Sequence, residues 1–275
     1  MILGKTYLGN TEIQKAYLGS SVVYEVSGIT TEYQDILDEA TLQGYTLPSA
    51  ADQITQNQMI VDAKASGVWS KMDLLYIFTL SGGADFKKIN WKNPTGVKIT
   101  EYNNTVSPTY DSSGVQQPTG RSRLNLGHTF LSLTNYQQNS ASYFIDVTVA
   151  YTSASVMLGS QNGSTYNYAS QGASKRPAIN NSSALPPPIS NWTSAELCGT
   201  HRSSSTTVEL TTDGVETSSS ASSISDVKEN ANIFILGRQI GSISSGLGYD
   251  GKIGFFAIGG YMKSDAQNMI DAFRI

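Results

Sequence analysis

The chain has 275 residues, 39% hydrophobic and 15% charged, enough apolar material to bury a core within one large domain or two small ones. Its formal net charge of -4 leaves no basic footprint for nucleic acid or for an anionic membrane surface. No charged start leads into an apolar run and no run reaches the roughly 18 residues of a membrane helix, so neither a signal peptide nor a span is expected. The single cysteine, Cys198, excludes an internal disulfide and a thiolate metal cluster, and is expected to be a buried thiol.

The chain opens by repeating itself, with KTYLGNTEIQ followed at once by KAYLGSSVVY over residues 5–24. Gly9-Asn10 and Gly19-Ser20 each place a glycine where a type II′ hairpin turn needs one, so residues 1–26 are expected to form a three-stranded β-meander. Folding about those turns sets Leu8 against Thr11, Tyr17 against Val22 and Lys15 against Tyr24. One face then carries Leu8, Ile13, Tyr17, Val22, Tyr24 and Val26. So small a sheet does not stand alone in water, and its apolar face is expected to dock on something else.

The phrase Lys15-Ala16-Tyr17-Leu18-Gly19-Ser20, with Val22-Val23-Tyr24 behind it, resembles the short N-terminal module of structural proteins in tailed bacteriophages, especially those infecting Bacteroidetes. The resemblance covers about 25 residues of the chain. It implies a virion protein, made in the host cytoplasm without a signal peptide, whose N-terminus docks on other virion proteins and anchors a larger distal domain. It also implies a homo-oligomer on a fibre, tail or capsid surface, with a trimer favoured.

A short Ser/Gly hinge follows. Tyr33, Ile36, Leu37 and Ala40 then recur at helical spacing, with Thr31 and Gln34 placed as a capping box and Gly44 as the stop. A second helix is expected after Pro48, with Ser49 and Asp52 at its cap and its end near Ala65, before Gly67. Together they would make a helical collar over 27–69. The run Met72-Asp73-Leu74-Leu75-Tyr76-Ile77-Phe78 reads as a strand buried on both faces. Beyond Asn90, extended runs at 97–100, 129–134, 143–150, 155–160, 206–212, 215–217, 232–236 and 252–258 alternate with turn signals, the pattern of an all-β sandwich or barrel. Asp213-Gly214 is the clearest hairpin signal. At the end, Ser264 and Gln267 are placed to cap a helix with Ala266, Met269, Ile270 and Phe273 on its apolar stripe.

This order of strands, together with the tail Gly251-Lys252-Ile253-Gly254-Phe255-Phe256-Ala257-Ile258-Gly259-Gly260 and its closing helix, resembles a concanavalin A-like or laminin G-like jelly-roll sandwich over 70–275. The fold class expected is therefore mainly β, an antiparallel jelly roll carrying a docking module and a collar. That fold also hosts retaining β-glucanases, whose acidic residues alternate along one strand; the E-x-D-x-x-E arrangement is absent here. Glu209, Asp213 and Glu216 straddle a hairpin and are expected to face solvent. His128 and His201 lack partners at metal-ligand spacing, and Asp111 with Asn103-Asn104 falls short of the six or more oxygens calcium takes. The reading is a non-enzymatic protein with no metal and no cofactor. Sugar binding needs an aromatic beside amide groups, which points to Tyr166, Tyr168 and Trp192 as candidate contacts for a host-surface glycan. Two alternatives remain open: a carbohydrate-binding module of a bacterial cell surface, and a glycoside hydrolase.

Overall fold

A computed structural model describes residues 7–8, 11–12, 15–18, 21–25, 28–102, 106–117, 123–149, 157–162, 165–171, 174–181, 196–217, 228, 230–237, 239–240 and 251–274. At the N-terminus, Tyr7–Leu8 pairs with Thr11–Glu12, and Lys15–Leu18 pairs with Ser21–Glu25, both antiparallel. The expected partners Leu8 and Thr11, and Tyr17 and Val22, are opposed. A register shift between Ala16 and Tyr17 sets Lys15 against Glu25, one residue beyond the expected Tyr24. Ile13 and Val26 lie outside the described residues. For Leu8, Tyr17, Val22 and Tyr24 only the backbone is described.

Two helices come next. Helix α1 spans Thr31–Leu42, capped by Thr30, whose hydroxyl accepts the Tyr33 N–H at 3.2 Å. The cap thus sits one residue before the expected Thr31. Helix α2 spans Ala50–Ala65 and has the cap expected of it: the Ser49 hydroxyl accepts the Asp52 N–H at 3.3 Å and donates to the Asp52 carboxylate at 2.6 Å.

The body is an antiparallel β-sandwich. In its first sheet, Ala141–Val149 lies between Glu196–Arg202 and Lys252–Gly259. Val208–Thr212 and Val215–Thr217 extend the sheet beyond Glu196–Arg202. The far edge of Lys252–Gly259 is shared end to end by Met72–Ile77 and Gly114–Gln116, and Thr109–Asp111 closes that side. The second sheet runs Ser174–Asn181, Thr165–Gln171, Leu158–Asn162, Asn232–Ile235, Arg123–Thr129, Thr100–Tyr102, with Gln239–Ile240 parallel to Leu158–Asn162. Asp213 and Gly214 both have positive φ, 46° and 75°, and close the hairpin between Thr212 and Val215 as a two-residue turn of the primed type.

Period-two alternation divides the first sheet between two cores. Tyr76, Tyr143, Ile145 and Phe256 face inward against Leu124, Leu126, Leu158 and Ile233 of the second sheet. Leu75, Ile77, Phe144 and Phe255 face outward and are covered by Ile36, Met59 and Ile60 of α1 and α2 and by Met269 and Phe273 of α3, which spans Ala266–Phe273. This sheet is therefore buried on both faces, which is why Met72–Ile77 reads as a near-continuous apolar run, and Ala141–Val149 is buried along most of its length, Ser142 and Asp146 included. Each such aliphatic or aromatic side chain contributes about 1.5 to 3 kcal/mol of burial. The helices of the expected collar share this second core with the sheet.

Two local expectations are corrected. Residues 129–134 do not form a strand: Phe130–Ser132 is a 3₁₀ turn with reciprocal Thr129 and Ser132 caps, and the strand is Arg123–Thr129 before it. Ser264 does not cap α3. A 3₁₀ turn over Lys263–Asp265 leads into it, and the Asp265 carboxylate accepts from Lys71 Nζ at 2.7 Å instead.

Candidate binding cleft

A cleft of about 510 Å³ opens where the first turns of α2, the 79–82 loop, Lys87 and the Thr109–Asp111 strand end converge. Its geometry follows from local rules. Gly82 has φ +111°, and a β-carbon there would meet the Phe86 ring at 2.8 Å, so the loop can bend this tightly only with glycine. Gln56 fixes the loop to the helices: its Oε1 accepts from Tyr33 Oη at 2.8 Å, and its Nε2 donates to the Ser81 hydroxyl at 3.2 Å and to the Ser81 carbonyl at 3.3 Å.

Two carboxylates border the cleft, and both are held ionised. Asp52 sits below the usual range because the Ser49 hydroxyl, and then that of Ser81, hydrogen-bond to it. Asp111 is held down to about 2, first by Lys252 Nζ and then by Ser113. Lys87 is buried and donates to the Asp111 carbonyl at 2.7 Å; that burial lowers its pKa. Among the described residues, Tyr110 is the only aromatic side chain lining the cleft. Its ring packs on Phe78 at 6.3 Å with an interplanar angle of 53°, and Lys88 Nζ lies over it at 5.4 Å from the centroid.

Such an arrangement presents charge and hydrogen-bonding groups to a polar ligand. Neither of its two carboxyls has a raised pKa, so neither is placed as a general acid. The raised carboxyl among the described residues is Asp146, at about 6 because burial outweighs Arg274. It is only 2% exposed, with Arg274 Nε at 3.4 Å and Gly254 so close that a β-carbon there would collide with it.

The residues singled out by sequence lie elsewhere. Tyr166 and Tyr168 stand in the strand Thr165–Gln171, opposite Gln161 and Gly159, with only their backbone described. Asn167 between them is fully buried and accepts from Tyr136 Oη at 2.9 Å, so that amide belongs to an internal network and not to a surface. Trp192 lies outside the described residues, as do Asn103 and Asn104. Glu209 does not face solvent: it accepts from Tyr261 Oη at 3.0 Å and from Lys263 Nζ at 2.7 Å. Asp213 is partly exposed and pairs with Arg274 at 2.7 Å. His201 is fully buried, hydrogen-bonded to Ser142 at 2.8 Å through Nδ1 and to Thr211 at 3.0 Å through Nε2. Cys198 is a buried free thiol, as expected. Among the described residues no group of three or more His, Cys, Asp or Glu could hold a metal ion. The cleft itself had no sequence signature, because Asp52 reads as a helix cap and Lys87, Tyr110 and Asp111 are distant from it along the chain.

No protein-family description matches the chain, and no curated protein is detectably similar to it. Solved structures show weak likeness. Trypanosoma rangeli sialidase in complex with sialic acid has a TM-score of 0.49 and 9% identity, covering 78% of this chain and 38% of that one. Domain 4 of AbnA, a GH43 extracellular arabinanase from Geobacillus stearothermophilus, in complex with arabinotriose, has a TM-score of 0.47 and 14% identity, covering 74% and 98%. This chain thus spans well under half the length of the sialidase.

Proposed function

We propose that this chain is a non-enzymatic structural protein of a tailed-phage virion, docked through its N-terminal hairpins and displaying a sandwich that binds a host-surface glycan. The cleft supports the binding half of the reading. Asp52 and Asp111 are both held below the usual carboxylate range, so the site can accept hydrogen bonds from a hydroxyl-rich ligand while neither carboxyl is poised to protonate a leaving group. The repeated opening supports the docking half through its likeness to phage N-terminal modules, and a homo-oligomer, with a trimer favoured, suits a fibre.

Each half has its own test. Thr55→Trp puts a bulky side chain at the exposed helical rim of the cleft. Glycan-array binding should be lost with the melting temperature nearly unchanged; binding that survives would move the contact elsewhere, with Tyr166, Tyr168 and Trp192 the next substitutions. Release of reducing sugar from a bound oligosaccharide would instead establish a hydrolase. For docking, a variant lacking residues 1–26 should remain folded and fail to incorporate when particles lacking the protein are reconstituted. Normal incorporation, read by mass spectrometry of purified particles, would refute the attachment role.

A further inference from the structure

We infer that a second cleft, between the Asp213-Gly214 hairpin turn and the start of α3, binds a neutral saccharide against the ring of Tyr261. The inference extends the glycan-binding reading to a site that shares no lining residue with the first cleft, so either site can fail alone.

This cleft encloses about 350 Å³ and is lined by Thr211, Gly214, Tyr261, Lys263, Ser264 and Gln267. Local rules build it. Leu210 faces the inner core, so its neighbour Thr211 faces the helix-covered side of the sheet. Gly214, at φ +75°, brings the turn up to the helix: a β-carbon there would come within 3.1 Å of Gln267 Oε1. At the other end of α3, Arg274 ties the same turn down through Asp213 at 2.7 Å.

Tyr261 is held before any ligand arrives. Its Oη donates to Glu209 at 3.0 Å, and its ring stands edge-on to His201 at 6.2 Å and 79°. A partly exposed ring fixed in this way has little freedom left to lose on binding. Lys263 Nζ donates to the same Glu209 carboxylate at 2.7 Å, so the cation of the wall is matched by an anion and the pair suits a neutral ligand. Beside the ring, Gln267 Nε2 donates to Asp271 at 2.7 Å, while its Oε1 and the exposed Ser264 hydroxyl remain for sugar hydroxyls. An aromatic ring beside an amide and hydroxyls is the combination that sugar binding needs. The first cleft lacks it, because Tyr110 there has Phe78 against its ring and the Lys88 ammonium over it. The two clefts thus divide the work: polar contacts in one, stacking in the other. They flank one sheet, separated by the strands between Val208–Thr212 and Thr109–Asp111, or roughly 24 Å at the usual strand spacing. A surface carrying repeated saccharides can engage both and gain avidity.

An NMR titration of isotope-labelled protein with cellotetraose, a neutral β-1,4-linked glucose oligomer whose rings present flat C–H faces, reads the clefts separately. The Gly214 backbone and Gln267 side-chain amide signals should shift together and saturate, and should do so equally in Thr55→Trp. Tyr261→Ala should weaken that response about tenfold, whereas Tyr261→Phe should keep it, since the ring stays and only the bond to Glu209 is lost. Ser264→Trp, at an exposed position, should abolish it with the melting temperature unchanged. Raising the salt concentration should leave the affinity as it is. Unmoved signals at Gly214 and Gln267, a response that survives both Tyr261→Ala and Ser264→Trp, or one that fades with salt overturns the inference. In that event shifts confined to Thr55 and Ser112 would leave the first cleft standing as the glycan site. No shift at either cleft, with no binding on the glycan array, would overturn the inference and the binding reading together.

Discussion

Replacing Trp91 with alanine should cost about 3 to 5 kcal/mol and should shift the unfolding of helices and sandwich together. Trp91 is 1% exposed, and its ring meets Tyr33 of α1 at 5.8 Å and 58°. Its backbone N–H donates to the Leu75 carbonyl at 2.9 Å, while the neighbouring Asn90 Oδ1 accepts the Leu75 N–H at 3.1 Å. The 90–91 segment is thus clipped to the sheet by its backbone and to the helices by its side chain. A cavity there removes contacts from both layers. At roughly 2 to 4 °C per kcal/mol for a chain of this size, calorimetry should record one transition displaced by about 6 to 20 °C. Two transitions, with the sandwich's unmoved, would mean that the helices fold as an independent unit. The same packing gives the reason for an expected insolubility if 27–69 is excised: the outward faces of Leu75, Ile77, Phe144 and Phe255 would be laid open.

What could be read from sequence divides along the same lines. The strands found in advance, Met72–Ile77, Ala141–Val149 and Lys252–Gly259, belong to the doubly covered sheet and are rich in the apolar side chains that its two cores take up. Helices α1 and α2 announced themselves by period and by cap. The strands that escaped notice, Arg123–Thr129, Thr165–Gln171, Ser174–Asn181 and Glu196–Arg202, contain Asn, Ser, Thr and His. In them the fold satisfies buried polar groups internally: Asn167 accepts from Tyr136, Asn180 Nδ2 donates to the Gln138 carbonyl, and Arg202 Nε donates to the Ile179 carbonyl. Composition alone presents such segments as loops, because nothing in a linear string says that a polar side chain will find its partner 23 to 42 residues away. The cleft was illegible for the same reason, its walls being joined only by the topology.

Those internal polar groups also set the response to acid, where two buried residues are expected to oppose each other. His201 is neutral in the fold, its pKa pushed down to about 3 by burial, with Lys263 adding to the effect. Its ordinary value is 6.5, so the unfolded chain binds the proton first. The contribution of His201 to stability is therefore complete above 6.5 and lost as pH falls from there toward 3, about 2 kcal/mol by pH 5. Asp146 runs the other way. Burial raises it from 3.8 to about 6 despite Arg274, so the folded chain takes up the proton first. Its contribution is complete below 3.8 and is lost as pH rises through 6. Between about pH 4 and pH 6 the two slopes have opposite sign and similar size and nearly cancel, which leaves the native profile to the other titrating groups, His128 with its burial-lowered pKa among them. Single substitutions separate them. Measured against the native profile, His201→Gln should shift the slope toward greater stability on acidification across this window, whereas Asp146→Asn should shift it toward loss of stability. The absolute cost of either change does not affect the readout, which is the change in slope from the native protein. Parallel profiles for all three proteins would show that neither group titrates as its surroundings require, and that His201, between Ser142 and Thr211, carries its proton at no unusual cost.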